Sequence, residues 1–329
     1  MNVAPLAEVT RGGQIESIHF GAVAVVNVRG ELLYQAGDPH FPTFTRSTLK
    51  PFQALPFLRD GGPARFGYGS RELALMCASH SGEVMHTDIV QAMLHKAGCD
   101  ERHLRCGCHV PIHFSTAGAQ PPSGAVFSQM HNNCSGKHAG FLAYCVQHGQ
   151  PLDSYVDPTH SLQRAIRRDV AQAAGMAEAD LGMGIDGCSA PNYLIPLSRL
   201  AYMYARLVQG DALFGESFSA MTSHPELVSG SGRIDLAFMQ AAPGDWVAKG
   251  GAEGVQAIGI RSAGLGIALK VADGNARASQ PAAIAVLQHI GLLPAPETTA
   301  LAAWTRPQLH NFAGLQTGEV RAAVKLVKT

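Results

Sequence analysis

Five short segments of this 329-residue chain carry side chains able to do chemistry: Ser47-Thr-Leu-Lys50, Ser79-His-Ser-Gly82, Cys134-Ser-Gly-Lys137, Asp186-Gly-Cys188 and Lys249-Gly-Gly-Ala-Glu-Gly254. A serine hydroxyl is a poor nucleophile until a base takes its proton. Lysine can be that base when burial or a second cation lowers its pKa, and a helix start disfavours a cation in the same direction. Ser47 and Lys50, three residues apart, would be neighbours on one helix face. The chain has only seven lysines, so Lys249 inside a glycine-rich loop stands out, because glycine lets backbone approach a ligand closely. Ser79 and Ser81 sit in a polar turn, ASHSGE, after an apolar run; a serine there is a nucleophile, a helix cap or a turn former. Together the segments point to a small amide hydrolase.

The thiols suggest a metal. Cys134 and Cys188 could bind one Zn²⁺ as thiolates, with a neutral Lys137 amine third and water fourth in the four-ligand set zinc prefers. A lysine ligand must first lose its proton, a loss that the metal itself favours. Cys106-Gly-Cys108 with His109 and His113 is a competing cluster, and spacing leaves both open. Cys77, Cys99 and Cys145 lie in apolar or helical surroundings and read as buried, inert thiols. Seven cysteines with no basic-then-apolar leader suggest reduced thiols in the cytoplasm. No apolar run approaches the about 18 residues of a membrane span. The 25 basic and 25 acidic residues balance, without a basic block, which argues against a nucleic-acid partner and leaves a small charged or zwitterionic substrate open.

The elements that must position these groups follow from the sequence pattern. Residues 20–36 read as two β-rich runs flanking Arg29-Gly30, a hairpin. Helices are expected over 47–58, with Pro51 in the first turn, and over 71–78, 86–97, 137–149, 158–174 and 193–209. Gly98 and Gly175 read as stops, and 99–125 as irregular chain. Residues 255–272 form a second hairpin, and 280–290 a further helix. Strands at both chain ends with helices between predict one domain, residues 1–329, with a mainly antiparallel sheet built from both ends and a helical region beside it.

The order of hairpin, Ser-x-x-Lys helix, helical region, Lys-Gly-Gly just before a second hairpin, and terminal helix resembles that of the serine β-lactamases and penicillin-binding proteins, whose Lys-Thr/Ser-Gly lies on a sheet edge. Gly250 replaces their hydroxyl residue, and their Ser-x-Asn element is not evident. The segments FTRSTLKPFQALP (44–56), ASHSGE (78–83), HNNCSGKHAGFL (131–142), GIDGCSAPNYLIPL (184–197) and AKGGAEGV (248–255) together resemble the thermolabile bacterial L-asparaginase II family of the inducible rhizobial type. That resemblance implies a β-lactamase-like α/β fold, a homodimer, and hydrolysis of L-asparagine to L-aspartate and ammonia with little glutaminase activity. It also implies two serine–lysine tandems, Ser47 with Lys50 and Ser79 with Lys249, and one Zn²⁺ per chain on Cys134, Lys137 and Cys188 rather than on Cys106 and Cys108. On this reading Ser47 is the first choice of nucleophile and Ser79 relays protons or orients the amide. The zinc positions the 131–138 loop and tunes affinity. Arg46, Asn133, His138, Asp186 and Arg261 are candidates to hold the substrate's α-carboxylate and α-amine. The rival readings are a glutaminase or other β-lactamase-like amidohydrolase, a non-catalytic amino-acid-binding protein, and a structural zinc protein with no small-molecule role.

Overall fold

The computed structural model describes residues 2–210 and 212–329. The chain divides into two compact units. One comprises residues 1–48, 195–208 and 237–329; the other comprises 49–194 and 209–236.

The first unit holds the large sheet. Its strands run in the order Gln308–His310, Gln316–Ala322, Ala4–Arg11, Gln14–Asn27, Leu265–Val271, Val255–Ile260 and Trp246–Gly251. Leu32–Ala36 pairs with Gln14–Asn27, and Val327–Lys328 pairs with Leu32–Ala36. The register is antiparallel throughout, for example Val23↔Leu269, Ala257↔Ala268 and Lys249↔Ala257. The two expected hairpins are present, at Val23↔Ala36 and at Val255–Ile260 with Leu265–Val271. Both chain ends supply strands, as expected. The sheet is larger than the sequence pattern suggested, because Ala4–Arg11 and the last three strands are short or mixed in polarity. Ala22, Val23, Ala24, Val25 and Val26 are all buried. A strand covered on both faces is apolar at consecutive positions rather than alternating. Each such valine contributes about 1.5–3 kcal/mol over an exposed one. Helices Leu197–Gln209 and Ala276–His289 bring further apolar side chains into this core.

The second unit is mainly helical: Leu55–Arg59, Ser70–Met76, Val84–Lys96, Ser135–Gln147 and Ser161–Ala174 are its main helices. Pro51 occupies the first turn of Lys50–Gln53, where its missing N–H costs nothing. Ser135–Gln147 is buried from Ser135 to Cys145. It can lie this deep because two glycines one turn apart face the helix Ser70–Met76. A β-carbon on Gly136 would stand 2.5 Å from Leu75 O, and one on Gly140 would stand 2.3 Å from Met76 Cε. That close approach holds Lys137 and His138 beside the chain that leads into Ser79.

One expected helix needs correction. The segment 193–209 begins as strand: Pro191–Pro196 pairs with Gly182–Ile185, with Asn192↔Gly184 and Leu194↔Gly182, and the helix starts at Leu197. Pro196 cannot donate a helical hydrogen bond and disfavours helix in the residue before it, so the helix begins after it. Among the described residues no helix is long and apolar enough to cross a membrane.

Candidate active site

In the first unit Ser47 lies in a tight turn, half-buried. Thr48 N donates to Thr45 O at 3.2 Å, Thr48 Oγ1 donates to the same carbonyl at 2.6 Å, and Tyr204 OH donates to Thr48 O at 2.8 Å. Arg46, just before Ser47, has φ 48°. A non-glycine residue in the left-handed region costs about 1–3 kcal/mol and is kept where neighbours over-determine it. The neighbour here is the end of strand Trp246–Gly251. A β-carbon on Gly251 would sit 3.1 Å from Arg46 Cβ, 3.2 Å from Thr45 O and 3.4 Å from Ser47 N. The second glycine of Lys249-Gly-Gly therefore leaves room for the serine turn to cross the strand. Lys249 itself is buried, and its Nζ donates to Gly250 O at 2.8 Å. Arg261 is exposed in the turn beyond Ile260, with its Nε donating to Val208 O at 3.3 Å. It lies at the opposite end of the hairpin from Gly251.

In the second unit Lys50 is buried, with its Nζ at the meeting point of two loops. It donates to Ala78 O at 2.5 Å and to Asn133 O at 3.2 Å, and it lies 2.9 Å from Ser79 Oγ. The last distance is within direct proton-transfer reach. The serine hydroxyl can accept from an ammonium or donate to an amine. Ser79 is held from behind, its N–H donating to Val228 O at 2.9 Å. Ser81 Oγ donates to Ser229 O at 2.8 Å, and Glu83 accepts from Ser231 N at 2.9 Å and from Ser231 Oγ at 3.1 Å. The segment Val228–Arg233 thus clamps the serine loop. It was missed in the sequence, where alternating Ser and Gly, SGSGR, was its one signal.

His80 and His86 stack behind Ser79, ring centroids 5.1 Å apart. His80 Nδ1 accepts from Gly82 N at 3.1 Å, so Nε2 carries the proton and donates to Ser135 Oγ at 2.8 Å. Burial, reinforced by His86 and Lys50, holds His80 well below the ordinary histidine value. Burial also lowers His86.

The thiols form a third group in this unit. Cys134 precedes the buried helix, its N–H bonded to Asn132 Oδ1 at 2.8 Å. Cys188 sits in the five-residue turn between Gly182–Ile185 and Pro191–Pro196. Asp186 N donates to Ala190 O at 2.9 Å, Ser189 N donates to Asp186 O at 2.9 Å, and Ser189 has φ 71°. Asp186 thus shapes the turn that carries Cys188. Lys137 Nζ donates to Cys188 Sγ at 3.1 Å. The Cys134 thiol, then Lys137 and His138, hold Cys188 well below the ordinary thiol value against the effect of burial. Cys134, facing that thiolate and buried, is held well above it. Burial alone would lower Lys137, but the charges of Cys188, Cys134 and Asp186 outweigh it and raise its pKa. His138 Nδ1 shares a hydrogen bond with Tyr155 OH at 2.7 Å, while its buried Nε2 makes none of normal geometry among the described residues.

Cys134, Lys137 and Cys188 lie together, as the implied Zn²⁺ would require, with Lys137 having to give up the proton it now donates to Cys188. Sulfur at about 2.3 Å and nitrogen at about 2.0–2.1 Å from a tetrahedral ion lie about 3.5 Å apart, close to the 3.1 Å between Lys137 Nζ and Cys188 Sγ. His138, whose ring lowers the Cys188 thiol, adds a further nitrogen beside these groups. The rival cluster is dispersed. Cys106 is buried and burial pushes its thiol up to about 12, Cys108 is exposed, and the rings of His109 and His113 bond backbone groups. Among the described residues no three His, Cys, Asp or Glu side chains converge as a metal site. All seven cysteines are free, with Cys77, Cys99 and Cys145 buried as expected.

The profile of the L-asparaginase II family matches residues 7–322, and the chain belongs to that family. It is an L-asparaginase-type amidohydrolase with a serine-based mechanism and a mixed α/β fold. A search of curated proteins returned no match. Among solved structures the chain is similar to one described as a beta-lactamase from Mycobacterium bovis, at 16% identity and a TM-score of 0.40, covering 87% of this chain and 95% of that one.

Proposed function

We propose that this enzyme hydrolyses the side-chain amide of L-asparagine to L-aspartate and ammonia through an acyl-enzyme, with little activity on L-glutamine. The observation that supports it best is the buried Lys50 amine 2.9 Å from the Ser79 hydroxyl, in a chain of this family. Ser47 is the proposed nucleophile, in a strained, half-buried turn, with Lys50 three residues on as base. Ser79 relays the proton that Lys50 takes up and later returns to the leaving ammonia. Lys249 supports the serines electrostatically, as the implied second tandem. Water then attacks the acyl carbon and aspartate leaves. The Lys50–Ser79 hydrogen bond also supports a second reading, in which Ser79 attacks.

Substrate contacts are assigned on charge. Arg46 is the candidate for the α-carboxylate and Asp186 for the α-amine. Asn133, His138 and Arg261 are lesser candidates, His138 because Tyr155 occupies its ring and Arg261 because it lies in a distant turn. Cys134, Lys137 and Cys188 would hold one Zn²⁺, which when bound supplies positive charge that fixes the 131–138 loop and tunes affinity. Further parts of this reading are a homodimer in the cytoplasm and action of the whole chain as one catalytic domain. Support for the dimer is the apolar exposure of Ile15, Ile18 and Phe20 on one strand. Peptide mass mapping after rapid quench with L-asparagine tests the nucleophile. The proposal expects a mass increment on the Ser47 peptide, lost in Ser47→Ala; an increment on the Ser79 peptide selects the second reading.

A further inference from the structure

The stretch Cys106–His113 takes no part in the chemistry above, yet it is fastened to both loops that Lys50 joins. Lys50 reaches Ala78 O and Ser79 Oγ on one loop and Asn133 O on the other. His80 N donates to the same Asn133 carbonyl at 3.2 Å. On the serine loop, His113 N donates to Ser81 O at 3.0 Å. A β-carbon on Gly82, which has φ 72°, would stand 2.9 Å from Pro111 Cβ. On the other loop, Asn132 Nδ2 donates to Cys106 O at 2.8 Å and Asn133 N donates to His109 Nε2 at 3.0 Å. The partners fix the tautomer of His109. Its Nδ1 lies 2.7 Å from Val110 O and carries the proton, so Nε2 offers the lone pair that Asn133 N–H uses. A metal on Nε2 would displace that bond.

We propose that His109 is a positioning residue: its Nε2 holds the Asn133 amide, and so fixes the Asn133 carbonyl that locates Lys50 against Ser79. This rests on the assignment of Lys50 and Ser79 to the reaction. Removing the ring leaves a half-buried N–H without its acceptor and frees the loop. A misplacement of about 1 Å near reacting groups can cost about a hundredfold in rate.

The test compares His109→Ala, His109→Gln and His109→Asn. A glutamine Oε1 can reach the Asn133 N–H, whereas alanine offers no acceptor and an asparagine Oδ1 falls short. Three quantities are measured: amide hydrogen exchange of the peptide containing Asn133, kcat and KM for L-asparagine, and bound zinc. H109A should exchange faster at Asn133 and lose about tenfold or more in kcat, with KM nearly unchanged and zinc content unaltered. H109Q should recover most of both readouts and H109N should not; that pair decides the matter where H109A does not fold. Unchanged exchange in H109A, faster exchange with an unchanged kcat, a glutamine variant as slow as alanine, or loss of zinc would each overturn the proposal. Absence of ammonia release by the wild type would instead defeat the hydrolase reading. Faster exchange in H109A would then still support the hold on Asn133.

Discussion

Replacing Lys50 with methionine separates catalysis from folding. The side chain keeps its length and packing but loses Nζ, and with it the bonds to Ala78 O, Ser79 Oγ and Asn133 O. Hydrogen bonds to a charged group contribute about 1.5–3 kcal/mol each. Taking an ammonium out of water costs several kcal/mol in return. The two terms are of similar size and opposite sign. Asn133 O also keeps its bond from His80 N. The melting temperature should therefore move by only a few degrees. Catalysis has no such compensation. A positioned general base contributes about 10²–10⁴ in rate, equal to about 2.7–5.5 kcal/mol of barrier. Ammonia release, followed continuously with a coupled dehydrogenase, should fall at least a hundredfold in Lys50→Met, with the far-UV circular dichroism of the wild type. Activity within tenfold of wild type would remove Lys50 from the mechanism. A variant that loses activity only because it has unfolded would make Lys50 a structural residue.

Three other outcomes follow. Gly251→Ala puts a methyl 3.1–3.4 Å from Arg46 Cβ, Thr45 O and Ser47 N. It should lower kcat by about tenfold with little change in stability, and wild-type kinetics would show that the Ser47 turn has slack. His80 and His86 are held below the ordinary value by burial. Their neutral forms stabilise the fold above the unfolded-state value of about 6.5, and that contribution is lost as pH falls below it. Between pH 7.5 and 5.5 denaturant titration should show stability falling as the pH falls; a flat profile would contradict this. Cys188→Ser should abolish stoichiometric zinc binding in direct metal analysis. Thorough chelation of the wild type should weaken substrate affinity yet leave measurable turnover, and complete loss of turnover with the fold intact would give zinc a direct catalytic role.

Much of this was legible in residue type and order. Pro51 signalled the start of the serine–lysine helix, Gly98 and Gly175 marked helix ends, and the apolar run after Phe20 marked the central strand. The sequence could not show which lysine bonds which serine. The Lys50–Ser79 contact spans 29 positions, and the close packing of Gly136 on Leu75 and of Gly140 on Met76 is just as non-local. Residues 193–196 looked helical because their apolar spacing continues into the next helix, and only pairing with Gly182–Ile185 makes them part of a strand. The clamp by Val228–Arg233 and the hold of His109 on Asn133 rest on backbone groups, which leave almost no trace in side-chain chemistry. Cys106, Cys108 and His109 had the composition of a metal site, yet the fold buries one thiol, exposes the other and uses the imidazole as a hydrogen-bond acceptor.

The most direct test is ammonia release from L-asparagine and L-glutamine by the same purified, folded, zinc-loaded protein. One methylene in a pocket contributes about 1–3 kcal/mol, so kcat/KM should favour asparagine by about tenfold or more. Equal or greater release from glutamine would make the enzyme a glutaminase, and no release from either would contradict the assignment of the site to amide hydrolysis of these amino acids.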